Sequence, residues 1–144
     1  TTLSVKKYFH IGIAVDVPNG LLVPVIRDCD RKSIDEISGE IVDISEKART
    51  KGLSMAEMSG GCFTLSSLGH IGGTGFTPVI NAPEVAILGI CRTQGRFLAD
   101  SSGLPVLRQL LPLSLSYDHR VINGADAARF LCAMAESLEA FDFQ

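Results

Sequence analysis

The sequence predicts an α+β fold, with mixed α/β layers in a single domain. Three observations predict it. Two stretches carry a helical period, one from Ser33 to Gly52 and one after Gly124. Short β-rich segments bounded by Gly, Pro and Asn surround them. A length of 144 residues with 46% apolar and 20% charged content suits one packed core, and there is no internal repeat or flexible linker. The net charge of −3 contains no basic run, which argues against a nucleic-acid partner. No apolar stretch nears the ~20 residues of a membrane helix, and no basic-then-apolar leader opens the chain. The expectation is a soluble, cytoplasmic protein. Its apolar richness also suits a face shared with identical copies, because obligate interfaces resemble a core cut in half.

The elements follow in order. Residues 9–16 and 21–26 read as two strands joined by the turn Pro18 to Gly20, a hairpin candidate. From Ser33 the period changes: Ile34, Ile37, Ile41, Ile44 and Ala48 fall on one face of a helix, with charged residues opposite. Ser33 and Glu36 make a capping box, and Gly52 stops the helix. Ser54 and Glu57 repeat the capping pattern over a shorter turn. Residues 62–68 read as a strand. Residues 69–83 form a glycine-rich loop with one short strand at 76–80. Residues 84–91 are almost continuously apolar, the pattern of a strand covered on both faces. A charged meander over 92–109 folds as a hairpin around Ala99 to Gly103. Leu111 to Tyr117 is again a strand, and the last helix presents Ala128, Leu131, Cys132, Ala135 and Leu138 on one side.

The four cysteines, Cys29, Cys62, Cys91 and Cys132, lie about thirty or more residues apart with no metal-ligand spacing, so they read as small buried hydrophobes and no metal is expected. The glycines of 69-GHIGGTG-75 lack the endings of a phosphate-binding loop and read as turn formers. His70 is an exposed loop residue and His10 a strand residue with a local partner. His119 ends the Leu111–Tyr117 strand, five residues before the glycine that opens the last helix. Two readings stand there: a general base held rigidly at a cleft, contributing ~10²–10⁴-fold, or a buried hydrogen-bonded histidine.

The run from Asp118 through His119, Arg120 and Asn123 to Gly124 resembles the D-H-R-x-x-x-G signature of the dihydrolipoamide acyltransferase family, the core component of 2-oxo acid dehydrogenase complexes. A similar H-x-x-x-D-G pattern marks the wider chloramphenicol acetyltransferase-like, coenzyme A-dependent group. Three blocks, 9–28, 63–90 and 111–131, are similar to family blocks in order and spacing and span nearly the whole chain. The third is most similar to bacterial acetyltransferases of pyruvate dehydrogenase complexes.

The resemblance implies the chloramphenicol acetyltransferase-like fold and acetyl transfer between a dihydrolipoyl thioester and coenzyme A, its thiol substrate. His119 would deprotonate the attacking thiol. A hydroxyl donor to the tetrahedral oxyanion maps to Ser66 in 63-FTLSSLG-69, with Ser67 as the neighbour to exclude; on a regular strand the two point to opposite faces. Many members carry aspartate where this chain has Asn123, which keeps the shape and loses the charge. Asp118 and Arg120 read as structural. The family implies a homotrimer, assembled into a 24-subunit or larger core, with His119 of one copy facing Ser66 of the next. The 2-oxo acid dehydrogenase and dihydrolipoamide dehydrogenase components complete the complex. Relative to the family, residues 1–144 read as the C-terminal part of one catalytic domain, with the lipoyl group supplied by a domain absent from the chain. The alternatives are a trimeric scaffold fragment with little or no activity and a small-molecule acetyltransferase of the chloramphenicol type.

Overall fold

The computed structural model describes residues 2–141. Five strands form one mixed sheet: β1 (Ile11–Ile13), β4 (Val25–Ile26), β5 (Phe63–Ser67), β6 (Ala86–Ile90) and β9 (Leu113–Tyr117). Its order is β4-β1-β5-β6-β9. β1, β5 and β6 run parallel, and the two edge strands run antiparallel to them. Two hairpins stand apart from the sheet, β2 (Val15–Val17) with β3 (Gly20–Leu22) and β7 (Gln94–Ala99) with β8 (Pro105–Leu110). The helices are α1 (Ile34–Thr50) and α2 (Gly124–Ala140). The mixed sheet with two helices is the α+β architecture the sequence predicts.

Parallel neighbours need a crossover between them, and α1 sits in the one from β1 to β5. Its capping box forms as the sequence indicates. Ser33 Oγ accepts the Glu36 N–H at 3.2 Å, and Glu36 Oε2 accepts the Ser33 N–H at 2.7 Å. The helix stops where Gly52 takes a positive φ of 76° and donates its N–H to the Lys47 carbonyl. Ile37, Ile41, Ile44 and Ala48 turn inward, whereas Ile34, in the first turn, stays exposed. A second capping box forms at Ser54 and Glu57, and Lys47 Nζ bonds Glu57 at 2.5 Å, tying that turn to the end of α1.

The two sheet faces differ in chemistry. Phe63, Leu65, Leu88 and Leu115 share one face by register, and the Phe130 ring of α2 meets Phe63 edge-on at 5.7 Å. Gly12, Thr64, Ser66, Ile87, Gly89, Ser114 and Ser116 share the other, which is small-residue apart from Ile87. The loop between β5 and β6 covers this small-residue face, and a Cβ on Gly89 would meet the Phe76 ring at 2.8 Å and Pro78 at 3.2 Å. β6 is consequently buried along most of its length, as its continuous apolar run indicates.

Three expectations need correction. Residues 76–80 form no strand: Pro78 lacks an N–H, and Phe76 and Pro78 pack down on Gly89 instead of joining a ladder. Residues 9–16 and 21–26 do not each run as one strand: the first splits into β1 and β2, with the Ala14 N–H turning to the Leu65 carbonyl, and the second splits into β3 and β4, which belong to different sheets. α2 is rotated from the expected face. Ala127, Leu131 and Met134 turn inward, and Ala128, Cys132, Ala135 and Leu138 are exposed. An alanine-rich helix carries two apolar stripes, and the sheet takes the one that lets the backbones approach closely. For the same reason Cys132 is not the buried hydrophobe expected of it; Cys91 is buried, and Cys29 and Cys62 are half-buried.

Replacing Gly89 with alanine will force the Phe76 side chain off the sheet. The expected loss is about 1–3 kcal/mol, read as a lower urea midpoint with an unchanged m-value.

Candidate active site

The five-residue pairing of β9 with β6 ends at Tyr117 opposite Ala86. One further rung follows, in which the Asp118 N–H donates to the Val85 carbonyl at 2.8 Å. The chain then turns, and the Asp118 carbonyl accepts the N–H groups of Val121 and Ile122, both at 2.9 Å. His119 is carried on this turn with its side chain exposed, 5.7 Å between ring centroids from Tyr117. The His119 ring is exposed in the single chain, unlike the buried histidine of the second sequence reading.

Asp118 holds the turn from the side. Its carboxylate accepts the Arg120 backbone N–H at 3.0 Å and the Arg120 guanidinium at 2.9 Å and 2.6 Å, a fork geometry. Those bonds hold the Asp118 carboxyl at about 2, below its ordinary range. Asp118 and Arg120 are thus structural, as expected, though they pair with each other rather than with distant segments. Asn123 caps α2. Its Oδ1 accepts the Asp126 N–H at 2.9 Å and its Nδ2 donates to the Asp126 carboxylate at 2.6 Å. Both ends of the amide are engaged at the helix start, four residues beyond His119.

Ser66 lies on the small-residue face, paired with Gly89, which pairs in turn with Ser114. It is half-buried, and its hydroxyl has no hydrogen-bond partner among the described residues. Ser67 points the other way, is exposed, and accepts the Gly69 N–H at 3.4 Å. In register, Ser66 is level with Ser114, five residues before His119. At ~3.3 Å per residue the two lie on the order of 15 Å apart along the sheet. One protomer therefore does not bring them together on a single reacting atom.

A groove of about 910 Å³ opens beside the turn, between residues 2–6 and the 80–85 loop. Ile80, Val85 and Val121 line it, and Lys6 and Arg120 stand at it. Sequence reasoning did not find this groove, since its walls come from three separated segments. Among the described residues no group of His, Cys, Asp or Glu is placed to hold a metal ion. His10 accepts the Asp28 N–H through Nδ1 at 3.0 Å, the local partner expected of it, and His70 is exposed.

The mixed sheet, with an exposed histidine on the turn that leaves it, is found in a chain that belongs to the family described as 2-oxoacid dehydrogenases acyltransferase (catalytic domain), which matches residues 1–143. Among its relatives is the dihydrolipoyllysine-residue acetyltransferase component of the pyruvate dehydrogenase complex of Pseudomonas aeruginosa, 61% identical over 133 residues. That alignment covers 92% of this chain and 24% of the relative. The fold is similar to a dihydrolipoamide acetyltransferase of Azotobacter vinelandii, at a TM-score of 0.90 and 55% identity over 94% of this chain and 55% of that one. The study of that enzyme concerns a serine, a histidine and an asparagine in its catalytic mechanism. A further match is the cubic core of a pyruvate dehydrogenase multienzyme complex, at 0.84 and 59% identity over 88% of this chain and 51% of that one. The chain spans between 21% and 35% of the length of these curated relatives.

The Asp118–Arg120 pair sets an acid limit. A carboxylate lowered to about 2 from 3.8 contributes stability fully above about 3.8 and loses it as the pH falls through 2. In an NMR titration the Asp118 carboxyl carbon is expected to report a midpoint near 2, moving up toward 3.8 in Arg120→Gln.

Proposed function

We propose that this chain carries acetyl transfer between a dihydrolipoyl thioester and coenzyme A, as the C-terminal part, residues 1–144, of an acyltransferase catalytic domain. The observation that carries the reading is an exposed imidazole on a doubly locked turn, in a chain of this family. His119 takes the proton from the coenzyme A thiol. The thiolate adds to the thioester carbonyl, and the resulting tetrahedral oxyanion accepts a hydrogen bond from a serine hydroxyl. Collapse breaks the carbon–sulfur bond to the dihydrolipoyl sulfur, which takes the proton back from His119. A held base and a fixed donor supply the catalysis, with the groove beside His119 as the approach for one thiol.

Ser66 is the donor in this reading, because its hydroxyl is half-buried and uncommitted while that of Ser67 already supports the turn to Gly69. In the Azotobacter enzyme the asparagine follows the histidine by four positions, as Asn123 follows His119. The serine there precedes the histidine by 52 positions, against 53 for Ser66 and 52 for Ser67 here. The count matches Ser67 directly and matches Ser66 with one residue inserted between serine and histidine, so the paired Ser66→Ala and Ser67→Ala variants decide between them. Asn123 acts by starting α2 where it supports the His119 turn, which requires no carboxylate.

Since Ser66 and His119 lie at opposite ends of the sheet, the working site takes one from each of two copies. A homotrimer provides such pairs, and trimers packed into a cubic or larger core are the assembly that fits. The lipoyl group comes from a domain outside these residues, and the 2-oxo acid dehydrogenase and dihydrolipoamide dehydrogenase components act on it in turn. A second reading, a scaffold fragment without turnover, is favoured by the exposed apolar stripe of α2.

His119→Ala is expected to lower acetyl transfer to coenzyme A by about 10²–10⁴-fold with the native mass unchanged. Ser66→Ala is expected to lower it by about 10²–10³-fold, and Ser67→Ala to leave it close to wild type. Equal rates in wild type and His119→Ala would favour the scaffold. Coenzyme A is expected to raise the melting temperature of the wild-type chain, because it binds only the folded state.

A further inference from the structure

We propose that Glu84 is a positioning residue for His119: its carboxyl locks the loop before β6 onto the middle of the sheet and so fixes the backbone from which the His119 turn hangs. The proposal rests on the reading of His119 as the general base, and it names a group which that mechanism leaves unused.

The lock is built from buried contacts. Glu84 Oε2 accepts a 2.6 Å hydrogen bond from Thr64 Oγ1, and Thr64, in the central strand β5, is 0% exposed. Asn81 adds a side-chain hydrogen bond to the same carboxyl, and its carbonyl accepts the Glu84 N–H at 3.0 Å. Two glycines leave room for the pair. A Cβ on Gly61 would lie 2.5 Å from Glu84 Oε1, and one on Gly12 would lie 2.7 Å from Thr64 Oγ1. No basic side chain among the described residues pairs with Glu84, and burial pushes its carboxyl up. A half-buried carboxyl held without a cation is costly, and its hydrogen bonds offset that cost.

The consequence reaches His119 through two residues. Val85 follows Glu84 and gives its carbonyl to the Asp118 N–H at 2.8 Å, the last rung before His119. The β6–β9 ladder ends one residue earlier, at Ala86 and Tyr117. Val85 therefore depends on Glu84, its neighbour outside the ladder, for its placement. If the lock opens, the rung shifts and carries the imidazole with it.

The chain has three histidines, His10, His70 and His119, so histidine-selective isotope labelling resolves the His119 ring directly. Glu84→Ala is expected to shift or broaden the His119 ring signals while leaving those of His70 in place. It should lower kcat by about 10–100-fold with the KM for coenzyme A within about twofold, the pattern of a base moved out of line. Glu84→Gln keeps an acceptor for Thr64 Oγ1 and is expected to restore both readouts. Gly61→Ala, which crowds the carboxyl without removing it, should reproduce the Glu84→Ala spectrum and carries the test if Glu84→Ala does not fold. A folded Glu84→Ala or Gly61→Ala variant with unmoved His119 signals would overturn the proposal, as would a Glu84→Gln variant as impaired as Glu84→Ala. The two readings fail separately: a wild-type chain without transferase activity removes the proposed function, while the His119 spectrum still decides the role of Glu84.

Discussion

The register between β6 and β9 is the constraint on which the site depends. Five residue pairs fix where β9 leaves the sheet, and the chain turns one residue later with His119 on the turn. A slip of one residue would exchange the two faces of β9, putting Ser114 and Ser116 against α2 and the leucines against the loop that covers Gly89. That arrangement is blocked twice. The leucines would lose their apolar cover, and the loop lies so close at Gly89, the partner of Ser114, that even a Cβ there would meet Phe76 and Pro78. Packing on both faces therefore sets the position of one imidazole.

The small-residue face is the less ordinary of the two. Glycine, serine and threonine predominate on it across four strands, around a single central Ile87, and the β5–β6 loop covers it at Gly89. Small side chains let that loop approach the sheet backbone, and the loop brings with it Asn81, Glu84 and the walls of the groove beside His119. The polar residues buried there pair with each other, as Thr64 and Glu84 do, so the close approach leaves no unsatisfied buried side-chain atom among the described residues. Ser66 lies on the same face yet keeps a free hydroxyl. In the proposed mechanism this free donor on a strand, beside satisfied neighbours, would be preorganised for a charge that appears only during reaction.

Ser66 and His119 lie at opposite ends of the sheet, so on the proposed reading each copy would offer the base at one end of its strands and the donor at the other. The exposed stripe of α2 and the exposed apolar side chains of the β7–β8 hairpin, with Phe97 at 72% and Leu107 at 55% exposure, suit burial against further copies. On that reading assembly and catalysis are one requirement, because the surfaces that bury apolar area would also bring the two ends together.

Local rules made much of this legible in the sequence. Both capping boxes, the stop at Gly52, the turn at Pro18 to Gly20, the hairpin over 92–109 and the doubly covered run at 84–91 follow from short-range chemistry, and each forms as read. The D-H-R run resembles the family signature by residue order, and the proposed role of His119 rests on that resemblance. The tertiary structure decided what depends on neighbours distant in sequence. It chose which stripe of α2 faces the sheet, since alanines on both sides give no preference by period. It laid Phe76 and Pro78 on Gly89 in place of a strand, and it exposed His119. It also joined Thr64 to Glu84 and opened the groove beside His119, through contacts between segments twenty or more residues apart. Periodicity records how a segment meets water along its own axis; it does not record which partner covers it, and that choice is made only when the sheet assembles.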